Sequence, residues 1–154
     1  MRTNTTIVPI PLPAHQQRSL RALAGSMVPA SGEFGVPGAD DERIFADIVA
    51  SLGRDAPQVT LALAQLDDWA GGCLADRDPG QQAALAQRLR DESPGLALML
   101  VNVVVRCYYR DDRVMRSLNM ELRPPFPKGF ELEQGDWSLL DPVRARGRAY
   151  REVP

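Results

Sequence analysis

Leu96–Val105 is apolar apart from Asn102, and a folded chain has to bury it. The run is far short of the ~20 residues that span a bilayer, so it reads as an interior element of a globular domain. Its four valines suit a buried strand as well as a helix, and periodicity does not separate the two. A strand needs a partner, however, and no other segment of comparable quality exists. Ser93 and Pro94 just upstream make a good helix start. The run is therefore predicted as the central buried helix of an all-α domain. Asn102 is then expected as a buried amide bonding nearby backbone.

Four more helices can be read around it. Pro13–Met27 places Leu20, Leu23, Ala24 and Met27 at spacings of three and four, with Pro13 in a first turn. Val28–Gly38 holds two prolines and three glycines and reads as a loop, with Phe34 as its expected anchor. Asp40, Asp41 and Glu42 put negative charge on the first turn of a second helix, whose apolar face is Ile44, Phe45, Ile48, Val49 and Leu52. Gly53 ends it. Asp55 and Pro57 open a third helix carrying Val59, Leu63, Leu66 and Trp69 as far as Gly71 and Gly72. A fourth, from about Gly80 to Asp91, turns only Leu85 and Leu89 inward and is expected at the periphery. After Tyr108 and Tyr109, a short helical turn covers Asp111–Leu118. The expected architecture is a compact bundle of about five helices over 13–118, with residues 1–12 as an N-terminal extension.

Residues 119–154 behave differently. They hold four of the nine aromatics and five of the thirteen prolines, yet follow neither a helix nor a strand period. Proline blocks regular pairing, so this segment is not expected to build its own core. Its six basic and six acidic side chains cancel, unlike the strong net charge usual in a disordered tail. The reading is an extended arm that docks on a partner. Its expected anchors are Pro124, Pro125, Phe126, Pro127, Phe130, Trp137, Leu139, Leu140 and Tyr150, with Tyr108 and Tyr109 at its base.

Composition excludes several functions. A net charge of −2 and a pI near 5.4 provide no basic field for phosphate backbones, so nucleic acid is not an expected partner. Cys73 and Cys107 lack CxxC spacing and read as free thiols. His15 is the only histidine, with no second ligand or triad partner near it in sequence. The pairs Asp40/Asp41, Asp67/Asp68 and Asp111/Asp112 are adjacent residues, about 100° apart on a helix, and do not converge as an acid and a base must. Asp76, Arg77 and Asp78 lack the rest of a calcium loop. No GxGxxG, Walker or GxSxG sequence occurs. No cofactor or metal is expected in this chain. The first thirteen residues read as neither a Sec nor a twin-arginine signal, which points to the cytoplasm, or to the periplasm only by export with a partner.

The residues also form an ordered pattern: Leu20–Ala30 of the LxxLAxxMVPA kind, Pro37-Gly38-Ala39-Asp40, Ile44, Phe45 and Ile48, Tyr108-Tyr109-Arg110-Asp111-Asp112, Val114, Ser117-Leu118, and a tail with proline, glycine and Trp137. This pattern, at low density from about Leu12 to Trp137, resembles the gluconate 2-dehydrogenase subunit 3 family, small subunits of FAD-dependent sugar and alcohol dehydrogenases. The resemblance implies a helical, non-catalytic subunit that holds no cofactor itself. It would stabilise a large FAD-binding subunit of the glucose–methanol–choline type, alongside a cytochrome c subunit in some relatives. Many members begin with a twin-arginine signal, which is not read here. Two rival readings use the same residues: a stand-alone helical adaptor binding another protein through the arm, and a small enzyme built on Asp67, Asp68, Tyr108 and Tyr109.

Overall fold

The computed structural model describes residues 12–122, 129 and 134–147. The fold is all-α, and no strand occurs among the described residues beyond an isolated bridge between Ser31 and Val36. The chain divides into two units, Met1–Leu122 and Arg123–Pro154. In the first, α1 (Ala14–Met27), α2 (Glu42–Ala50), α3 (Ala56–Ala70), α4 (Pro79–Glu92) and α5 (Pro94–Tyr108) enclose one core, and the short α6 (Asp112–Ser117) follows. None of the described helices is long and apolar enough to cross a membrane.

Local chemistry sets the ends of these helices. Asp41 caps α2 by accepting from the Arg43 and Ile44 amides, Asp78 caps α4 through the Gln81 amide, and Asp111 caps α6 through the Arg113 amide. Each carboxylate satisfies a donor that the first helical turn leaves free and places negative charge at the positive end of the dipole. Prolines occupy the first turn of α3, α4 and α5, where the missing amide costs nothing. Gly71 stops α3 in the left-handed conformation at φ 67°, which a side chain would strain.

Packing follows the helical period. Leu20, Leu23 and Ala24 of α1, Ile44 and Ile48 of α2, Val59, Leu63 and Leu66 of α3, and Leu100, Val103 and Val104 of α5 are all buried. Burial of each such side chain stabilises the fold by roughly 1.5–3 kcal/mol. The predicted helix at Leu96–Val105 is present as α5, packed against α2, α3 and α4. It is not buried all round. Ala97, Leu100, Val103, Val104 and Cys107 face inward, while Leu98 is 61% exposed and Asn102 is exposed as well. Asn102 therefore lies on the solvent side of the helix and is not the buried amide that the sequence suggests. Only Leu89 of α4 is fully buried, in keeping with a peripheral helix.

The loop between α1 and α2 is closed by backbone rather than by Phe34. Ser31 and Val36 exchange hydrogen bonds of 3.0 and 3.1 Å, and the Ala39 amide bonds the Val28 carbonyl at 2.9 Å. Residues 32–35 become the tip of this loop, so Phe34 is carried outward instead of serving as an anchor. Gly38 is needed here because a Cβ would stand 2.9 Å from the Ala30 nitrogen.

In the second unit, the described residues contain a 3₁₀ turn, Trp137–Leu140, running into the short helix α7 (Asp141–Ala145). The sequence reading has an irregular arm at this point. Asp136 explains the turn, since its Oδ1 accepts from the Ser138 amide at 3.0 Å and from the Ser138 hydroxyl at 2.6 Å. Pro142 then falls in the first turn of α7. None of residues 134–147 is buried, so Trp137, Leu139, Leu140 and Val143 are exposed. The expected anchors Pro124, Pro125, Phe126, Pro127, Phe130 and Tyr150 lie outside the described residues.

Candidate functional site

Where α5 meets α6, several apolar side chains are left uncovered together. Phe34, Val36, Tyr108, Tyr109, Val114, Ser117 and Leu118 line a cleft of about 210 Å³ there. Phe34 is 69% exposed, Tyr109 54% and Leu118 51%, and Met120 just beyond is also exposed. Single exposed hydrophobics are ordinary, whereas several sharing one concavity mark an interaction surface. Tyr108 and Tyr109 divide their duties. Their rings meet edge to face at 5.3 Å, but Tyr108 is only 4% exposed and belongs to the core, and only Tyr109 is exposed enough to offer a broad contact. Burial, with Tyr109 and Asp111 close by, raises the Tyr108 phenol above its usual range and keeps it neutral.

A web of ion pairs holds this corner in shape. Arg113 reaches from α6 to the cap of α2, with Nη2 2.6 Å from Asp41 Oδ1 and Nη1 3.2 Å from Asp41 Oδ2. The same guanidinium grips Asp111, with Nε 2.9 Å from Oδ1 and Nη2 3.1 Å from Oδ2. Arg43 approaches Asp111 to 3.8 Å. Hydrogen bonds from Arg113 hold both Asp41 and Asp111 below the usual carboxylate range, against the opposing effect of burial. Beside this web, Arg110 bonds Asp47 at 2.6 Å and the Ser51 hydroxyl at 2.7 Å, tying α5 to α2. The arginines and carboxylates here satisfy one another, and so serve the fold.

Groups with the right chemistry for catalysis are placed apart. Asp67 Oδ1 accepts from the Ser19 hydroxyl at 2.7 Å and the Leu74 amide at 2.8 Å, and its Oδ2 is 4.0 Å from His15 Nε2. Serine, histidine and aspartate are close, but in the wrong order for a nucleophile: Ser19 donates to the carboxylate and is fully shut from solvent. Asp67 thus fastens α1 to the turn after α3. Tyr108 and Tyr109 lie elsewhere, since the neighbouring Arg106 reaches Asp55 at the start of α3 at 3.3 Å. Asp67 is about 18 Å further along that helix at 1.5 Å per residue. The residues of the enzyme reading are not assembled into one site.

Both cysteines are free. Cys107 is buried, and burial, with Asp47 nearby, pushes its thiol up, away from the reactive thiolate. Among the described residues, no group of three histidine, cysteine or carboxylate side chains stands close enough to hold a metal ion. The sequence reading found Tyr109 but missed Phe34, Leu118 and Met120. Nothing in the local pattern distinguishes these from core residues.

Comparison with known proteins finds no matching family model, no matching curated protein and no matching solved structure. The residue pattern alone carries the family resemblance.

Proposed function

We propose that this chain is a non-catalytic small subunit that binds and stabilises a large FAD-dependent sugar or alcohol dehydrogenase of the glucose–methanol–choline type, with FAD held by the partner. The apolar cleft framed by Phe34, Tyr109 and Leu118 is the observation that carries the reading. Aromatic and aliphatic groups of this kind supply most of the energy of a protein interface when a partner covers them. The exposed Trp137, Leu139 and Leu140 add a second set of anchors of the same chemistry. The resemblance in residue pattern names the class of partner.

The test is co-expression of the full chain with a flavoprotein of this class encoded beside it. Substituting Phe34→Ser and Leu118→Ser together removes exposed groups, so the chain's own urea midpoint should hardly move while the flavoprotein is lost from the eluate. Undiminished retention would remove the cleft from the interface. Deletion of residues 119–154 tests the arm separately, and a partner that stays soluble, bound and active without them refutes its docking role.

A further inference from the structure

Arg77 stands out among the described arginines of the first unit. Arg18, Arg43, Arg88, Arg106, Arg110 and Arg113 pair with carboxylates, while Arg21 and Arg90 bond a carbonyl and an amide oxygen. Arg54 and Arg116 are exposed and can be served by water. Arg77 is half-buried, its Nε is closed to solvent, and that nitrogen has no hydrogen-bond partner. A shielded guanidinium donor left unmatched is costly, so the position calls for an acceptor that the described residues do not provide.

Arg77 also lines a cleft of about 260 Å³ with Trp69, Ala70, Gln81, Ala84 and Leu85, between the end of α3 and the start of α4. Its lining combines one cation, one amide, an indole and aliphatic carbon. The Arg88 guanidinium covers one face of the indole at 4.1 Å from the ring centre. The Arg77 guanidinium lies beside the Gly71–Gly72 turn, its Nη2 at ordinary contact distance from where a Cβ on either glycine would stand. Small concave sites of mixed apolar and polar lining are the usual form of ligand pockets.

We propose that this cleft binds a small organic acid, its carboxylate on Arg77 and its apolar body against Trp69 and Leu85. Two features select a monocarboxylate. The planar guanidinium fork matches the two oxygens of a carboxylate. One cation next in sequence to Asp76 and Asp78 offsets a single negative charge, not the two of a phosphate monoester. The site lies apart from the apolar cleft at Tyr109 and does not depend on the partner proposed above.

Trp69 is a built-in reporter, because the chain has only one other tryptophan. In full-length protein carrying Trp137→Phe, fluorescence is followed during titration with cyclohexanecarboxylate and, in parallel, with the neutral cyclohexanecarboxamide. The acid should give a saturable change and bind at least about tenfold more tightly than the amide, as expected for one charge-assisted pair. Arg77→Gln should abolish that preference, while Arg54→Gln, an exposed control, should keep it. A missing saturable response, equal affinity for acid and amide, or an unaltered preference in Arg77→Gln each overturns the proposal. The acid–amide comparison needs no Arg77 variant, so the test stands even if Arg77→Gln fails to fold.

Discussion

Arg113→Met is the substitution that bears hardest on the corner of α2, α5 and α6. The change keeps an apolar stem of similar reach but removes the guanidinium that joins Asp41 to Asp111. The Asp111 side chain is only 4% exposed, and afterwards it retains the Arg113 amide at 2.9 Å and the distant Arg43 at 3.8 Å. Breaking a fully buried pair costs ~3–5 kcal/mol, whereas an exposed pair contributes ~0–1. Arg113 and Asp41 are partly solvated, so the expected loss is about 2–3 kcal/mol. Urea unfolding at pH 7 measures it as a lower midpoint with an unchanged slope.

The pH dependence supplies a second check with a definite sign. Asp41 and Asp111 titrate lower in the folded protein than in the unfolded chain. Their contribution is present above the unfolded value of ~3.9 and disappears as pH falls through the lower folded values. The stability gap between the native chain and Arg113→Met should thus be constant from neutral pH to about 5 and narrow below about 4. A gap under ~0.5 kcal/mol at pH 7, or one that does not narrow in acid, would refute the assignment of Arg113 as the clamp of this corner.

Leu100→Ala should destabilise the first unit by about 2–5 kcal/mol in urea unfolding, because Leu100 is buried on the inward face of α5; a cost below about 1 would place that helix at the periphery. Leu98→Ala, two residues earlier on the exposed face, should cost less than ~1 kcal/mol in the same assay. A thiol reagent should modify the half-exposed Cys73 in the native protein, and the buried Cys107 only as fast as the fold opens. Equal rates for both would contradict the burial of Cys107. Gly38→Ala should lower the urea midpoint by an amount equivalent to ~1–3 kcal/mol, since the new methyl has to displace the Ala30 backbone.

What could be read in the sequence was local. Proline in the first turn of α3 and α5, acidic charge at the start of α2 and Gly71 as a stop are each decided within a few residues, and those helices stand where the signals put them. Which way a side chain faces is decided by distant neighbours. Asn102 looks buried because its flanks are apolar, yet it and Leu98 lie on an exposed face of α5. Tyr108 and Tyr109 are adjacent in sequence, and the turn of the helix sends one inward and leaves the other exposed. The Arg113–Asp41 pair spans 72 residues, and no motif announces it. Phe34 was misjudged because an aromatic in a loop commonly anchors it, whereas here the Ser31–Val36 backbone bridge already does so. Of the candidate site, therefore, Tyr109 was legible, and the cleft itself was not.

The most direct test of the central claim is the absorbance spectrum of this chain after affinity purification with its genomic neighbours. A small subunit of a flavin dehydrogenase predicts a co-purifying protein of several hundred residues and the two-banded visible spectrum of oxidised flavin, bleached on adding the partner's sugar or alcohol substrate. A colourless single chain, stable and monodisperse beside a separately eluting flavoprotein, would contradict it and leave an adaptor that acts on some other protein.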